Sequence, residues 1–183
     1  MGYSLSILVW DMADFPRVAS NFGWAIGGEF DPNAGMLRHV PPLATAGVNR
    51  RQLVFVNHKS LRAATLLDVR RISEVAPTLH FWVNDTSGAT NFSGHANGSD
   101  LWAVWAVDDE YHVEGEPPFD VQSFVEMVTD EAEHARLEYG DDEGEVDWYR
   151  LPVRAFEAVV GMTHSGNWPR PCFFMSGENP LVG

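Results

Sequence analysis

Positive charge and cysteine are both scarce in this chain. It carries 12 lysines and arginines against 26 aspartates and glutamates, a formal net charge of −14 over 183 residues. A domain of that sign repels polyphosphates and anionic lipid, so nucleic-acid binding by general phosphate attraction and electrostatic membrane docking are excluded. Cys172 is the single cysteine, which rules out an intramolecular disulfide and a cysteine-based zinc site and points to a reducing, cytoplasmic setting. No apolar run approaches the roughly 18 residues that span a bilayer. The stretch from Leu5 to Trp10 is too short, and follows no basic region, to act as a signal peptide. Met1-Gly2-Tyr3-Ser4-Leu5-Ser6 matches the bare myristoylation pattern but reads better as the approach to a buried strand. No P-loop, dinucleotide fingerprint, zinc-protease helix, kinase signature or Gly-x-Ser-x-Gly elbow occurs, so no cofactor and no metal is implied. Lysine is almost missing as well: Lys59 is the one lysine beside eleven arginines, a skew that suits a bacterial, GC-rich coding sequence.

What the chain does have is core material. Hydrophobic residues make up 45%, with 7 Trp, 11 Phe and 4 Tyr, enough for one packed domain over residues 1–183. Ser4 to Trp10 reads as a first strand. Phe22 to Phe30, with Trp24, Ile26 and Phe30 alternating around Gly27-Gly28, reads as a strand with a bulge. Pro32, Gly35, Pro41-Pro42 and Gly47 mark a loop, and Gln52 to Asn57 a further strand. Ser60 is placed to cap a helix reaching Ala76, where Pro77 ends it. Leu79 to Val83 reads as a strand, Asn84 to Asp100 as a long polar loop, and Leu101 to Val107 as a strand apolar on both faces and therefore central.

Asp120 is a good N-cap for the clearest helix. Behind it Val121, Phe124, Val125, Val128, Ala132, Ala135 and Tyr139 form one face of a 3.6-residue period. Val146 to Leu151 reads as a strand, Pro152 to Val160 as a short helix ended by Gly161, and Cys172 to Met175 as a last strand. Consecutive strands with segregated helices predict an α+β single domain, a mixed or antiparallel sheet with about three helices packed on it.

The charge is concentrated. Residues 108–147 hold sixteen acids against Arg136 alone, a net of −15, whereas residues 38–71 hold seven basic groups against Asp68. One expectation is ordinary solvation, with the acidic helix pairing in part with the earlier arginines. The other is that the acidic face meets a basic partner, where complementarity raises the association rate and confers specificity.

Several residue patterns carry chemistry on paper. Asp130, Glu131 and His134 share a helix face at metal-ligand spacing, but a di-iron bundle needs that pattern twice, so a surface histidine among carboxylates is expected. Asp141 to Asp147 lacks the ligand order of a calcium loop. Ser93, His95 and Asp100 lie close together within the polar stretch, as a hydrolytic triad would require, though triads are defined by geometry. The sequons at Asn84, Asn91 and Asn97 are by-products of that polar stretch. Cys172, between Pro171 and Phe173, reads as a buried, inert thiol. Trp102, Trp105, Trp148 and Trp168 read as core packing before ligand stacking.

The sequence therefore points first to a protein-binding domain, an acidic inhibitor or immunity-type protein that docks on a basic partner such as a bacterial toxin. Its expected contact set is Asp130, Glu131, Glu133, Asp141, Asp142 and Glu143, with no catalytic residue. The alternatives are a small-ligand-binding protein or hydrolase using His80, His95 or His164 near the 84–100 stretch, and a phage or assembly subunit.

Overall fold

The computed structural model describes residues 4–31, 43–57, 66–84, 86–139, 146–162 and 169–176. Among them nine strands form one antiparallel sheet: β1 (Ser4–Asp11), β2 (Ala25–Phe30), β3 (Leu43–Val48), β4 (Arg51–Asn57), β5 (Thr78–Asn84), β6 (Ala89–Ala96), β7 (Ser99–Val107), β8 (Glu110–Gly115) and β9 (Cys172–Ser176). Four helices accompany them: α1 (Phe15–Asn21), α2 (Leu66–Ser73), α3 (Val121–Tyr139) and α4 (Arg150–Val160). The spatial order is β2-β9-β3-β4-β1-β5-β6-β7-β8, which makes the fold α+β with β1 at the middle. Among the described residues no helix is long and apolar enough to cross a membrane.

Strand alternation divides the core in two. Leu5, Ile7 and Val9 of β1 join Leu53, Phe55, Phe81, Phe92 and Trp102 beneath α4, where Phe156 stacks on Phe81 with ring centroids 4.3 Å apart. Leu8 and Trp10 point the other way, into a second cluster with Phe15 and Val18 of α1 and Val69 and Ile72 of α2. Helix α3 adds a third cluster, Val128 against Leu151 of α4 and Val104 of β7. The indole of Trp102 lies across Gly94, its directly opposed residue on β6.

The structure departs from the sequence expectations in several places, beginning with α1, a fourth helix where none was expected. Residues 43–48, read as loop, form β3, because Ala44, Thr45 and Ala46 are small enough to lie buried between β4 and β9. The 84–100 loop contains β6, whose polar residues are accommodated because strands flank it on both sides. The acidic stretch after Val107 turns back as the edge strand β8. Strand β7 is second from that edge and not central. Val146 to Leu151 is not a strand: the chain turns at Trp148, which packs 4.6 Å from Tyr111, and α4 starts at Arg150 so that Leu151 reaches the core. Pro152 falls in the first turn of α4, where a missing N–H costs nothing, and the left-handed Gly161 closes the helix. The Ser60 cap lies outside the described residues.

Candidate functional site

On the sheet face that carries α1 and α2, the strands β5 to β8 align polar and aromatic residues in rows. One row runs Trp82, Asn91, Trp105, His112, and the next runs His80, Ser93, Ala103, Glu114. A cleft of about 670 Å³ opens over them, lined by Trp82, Asn91, Ser93, Ala103, Trp105 and Glu114, with His95 and Asp100 at one end. Trp105 stacks on His112 with nearly parallel rings 4.0 Å apart.

Ser93, His95 and Asp100, neighbours in sequence, are joined by hydrogen bonds. A carboxylate only accepts, so His95 Nδ1–H donates to Asp100 Oδ1 at 2.8 Å; Nε2 is then left to accept from the Ser93 hydroxyl at 2.9 Å. A register shift between Gly94 and His95 opposes His95 to Asp100 and makes this contact. Arg70 of α2 donates Nε–H to Asp100 Oδ1 and Oδ2 at 3.0 and 3.1 Å, and its terminal nitrogen bonds Oδ2 as well. The Arg70 hydrogen bond holds the Asp100 carboxyl below its ordinary range. Burial lowers the pKa of His95, against the opposing pull of Asp100, so the imidazole is neutral at neutral pH.

That order of donors is the order of a nucleophile, base and acid relay, but the surroundings damp it. Arg70 compensates the charge with which Asp100 would stabilise an imidazolium. Ser93 sits in an interior strand whose backbone N–H groups serve ladders to β5 and β7, so oxyanion stabilisation would fall to side chains. His80 is buried on the same face, its ring centroid 6.3 Å from that of His95, and its Nε2 lies 3.1 Å from Ser6 Oγ. His164 lies outside the described residues.

No known protein family, curated protein or solved structure matches this chain.

The acidic segment has its own geometry. Asp120 caps α3, its Oδ1 accepting the Gln122 N–H at 3.1 Å and its Oδ2 the Ser123 hydroxyl at 2.6 Å. Glu126, Asp130, Glu133 and Glu138 of α3 are exposed, as are Glu110, Glu114 and Glu116 of β8 and its exit. Glu131 differs: it pairs with Arg150 at 3.0 Å and Arg154 at 2.8 Å, and so ties α3 to α4. Asp130 and Glu133 thus remain as exposed members of the expected contact set, while Asp141, Asp142 and Glu143 lie outside the described residues. His134 Nδ1–H donates to the Asp130 carbonyl at 2.8 Å, and Glu131 faces arginines, so the metal-ligand spacing does not converge.

The expected pairing of this segment with the earlier arginines does not occur among the described residues. Arg51 donates to the Val159 carbonyl, Arg70 is held by Asp100, and Arg71 lies over the Phe22 ring at 5.7 Å. Sequence reasoning missed Trp82, Asn91 and Arg70, and it read Trp105 as core although Trp105 is half-buried beside the cleft. The alternation Asn91, Ser93, His95 was the available signal, hidden by a composition that reads as loop. Trp102 is core as expected, Trp148 packs on Tyr111, and Trp168 is outside the described residues.

Proposed function

We propose that the protein is an acidic docking protein that binds a basic partner through the outer face of α3, most concretely an inhibitor or immunity-type protein acting on a cationic toxin or nuclease. The observation that carries this reading is an acidic surface left unneutralised beside exposed apolar groups. Glu126, Asp130, Glu133 and Glu138 lack arginine or lysine partners among the described residues. Met127 and Leu137, on the same helix, are 43% and 80% exposed. A groove of about 770 Å³ runs along α3, lined by Glu126, Met127, Asp130, His134 and Glu138 and, from α4, by Arg150, which Glu131 holds.

Clustered carboxylates accelerate encounter with a basic surface, and the apolar groups supply the contact area that outlasts encounter. An inhibitor of a cationic enzyme covers the basic groove in which that enzyme holds its anionic substrate. The test is retention of basic proteins on the immobilised chain at 50 and 300 mM NaCl, with Glu126→Lys, Asp130→Lys, Glu133→Lys and Glu138→Lys combined as the comparison. Binding weakened by about tenfold or more by both salt and charge reversal is expected. A partner held equally by both chains at both salts would remove α3 as the docking face.

A further inference from the structure

On the face of the sheet away from α3, the row His80, Ser93, Ala103, Glu114 crosses β5 to β8. Its two middle members are small. Along β7, Leu101, Ala103 and Trp105 all line the cleft, so a methyl group separates two large side chains rooted about 13 Å apart. Small residues between large ones leave a trough. The cleft of about 670 Å³ over this row lies within the roughly 300 to 1,000 Å³ of small-molecule sites.

The walls of the trough are apolar and open to solvent. Leu101 is the extra residue of the bulge opposite Gly94 and His95, and it is 55% exposed. Trp105 is half-buried and stacks on His112 at 4.0 Å. Covering these surfaces favours a ligand with an apolar body.

The charge at the mouth has one sign. Glu114, on the edge strand β8, lines the cleft, is exposed, and has no hydrogen-bond or ion-pair partner among the described residues. The groups beside it are matched: Asp100 is held by Arg70, and His112 has Glu110 at 3.7 Å. Asp108, Asp109 and Glu116 are exposed along the same edge. No described lysine or arginine lines the cleft, so an anionic ligand meets repulsion there and a cation meets attraction.

We propose that this cleft binds a small organic cation with an apolar body, an arylalkylamine in chemical class. The ammonium group pairs with Glu114 at the mouth, and the apolar body lies over Ala103 between Leu101 and Trp105. Burial of the body supplies most of the affinity, because an ion pair open to solvent contributes little. Glu114 therefore acts as the selector of ligand charge.

The test titrates the full chain with three ligands of one shape and different charge: 2-phenylethylamine, 2-phenylethanol and 3-phenylpropanoate. Tryptophan fluorescence and calorimetry at pH 7 and constant ionic strength report binding. The amine is expected to bind saturably, the alcohol about fivefold weaker through loss of one solvent-facing ion pair, and the carboxylate at least tenfold weaker. Glu114→Gln should bring the amine and the alcohol to within about twofold of each other. Ala103→Leu fills the trough and should weaken the amine and the alcohol alike, at least tenfold. Position 103 faces open cleft and Glu114 is exposed, so the thermal midpoints of both variants should stay near the parent's. If Ala103→Leu does not fold, the amine-to-alcohol ratio in Glu114→Gln decides. No saturable binding of the amine, equal binding of the alcohol, or a ratio unchanged in Glu114→Gln would overturn the proposal. None of these outcomes bears on docking through α3.

Discussion

Glu131 of α3 bridges Arg150 and Arg154 of α4, and this joint separates the structural from the available acid on that helix. The carboxylate is 29% exposed and one of its oxygens is buried, whereas Asp130 and Glu133 on either side are exposed. Glu131→Gln should therefore cost about 1 to 2 kcal/mol of stability, the range for one partly buried pair of charge-assisted contacts. Asp130→Asn and Glu133→Gln should each stay within about 0.5 kcal/mol of the parent. Urea denaturation of the three variants checks the contrast. Equal effects at all three positions would mean that Glu131 holds nothing.

The His95 site makes stability depend on pH in a defined direction. Its pKa is lowered in the folded chain by burial, so between the folded value and the unfolded value of about 6.5 the unfolded chain binds more protons. Stability is therefore fully present above about pH 6.5 and is lost as pH falls through the folded pKa. Asp100, also lowered, contributes in the same sense at lower pH, below the ordinary carboxylate range. Thermal midpoints measured from pH 7.5 to 5 should fall in the parent and fall less in His95→Gln. A parallel decline in both proteins would assign the loss to other groups.

Gly94 lets Trp102 close the sheet. A Cβ at position 94 would lie 2.4 Å from the Trp102 indole nitrogen, and Trp102 is packed between Phe92 and Phe119, with centroids 5.1 and 5.3 Å away. The indole must shift against those rings to admit the methyl group, so Gly94→Ala should destabilise the fold by about 1 to 3 kcal/mol, the usual cost of overpacking. The double variant Gly94→Ala/Trp102→Phe should recover part of that loss relative to Trp102→Phe alone. Additive losses in a denaturation cycle would contradict the contact.

Cys172 should be chemically silent while the chain is folded. It is fully buried in β9, its Sγ–H reaches the Pro169 carbonyl at 3.0 Å, and burial pushes its pKa up to about 11. At pH 8 the thiolate fraction is then on the order of one in a thousand. Labelling with a disulfide reagent should proceed only at the rate of unfolding and become immediate in denaturant. Rapid labelling of the native chain would show that β9 opens from the sheet.

Much of the architecture was legible because its signals are local. Leu5 to Val9, Leu53 to Val56 and Leu101 to Val107 are apolar runs with no use except in a sheet interior. The period of Val121, Phe124, Val125 and Val128 could only be a helix face. The strands that escaped notice, β3, β6 and β8, are polar, small-residue or acidic segments whose strand character comes from neighbours on the sheet. In β6 the polar residues Ser93 and His95 are satisfied by each other and by Asp100, so these two side chains are buried with their hydrogen bonds made.

The same division runs through the functional residues. Charge adds along a chain whatever its fold, so the sequence alone determined that residues 108–147 carry a net −15 and that lone Cys172 forms no internal disulfide. Only the tertiary structure decided which of those acids are free, because Glu131 meets Arg150 and Arg154 through the packing of α3 on α4. It alone decided that Trp82, Asn91 and Trp105 share one cleft, since β5, β6 and β7 must align in register before residues so far apart in sequence line the same space.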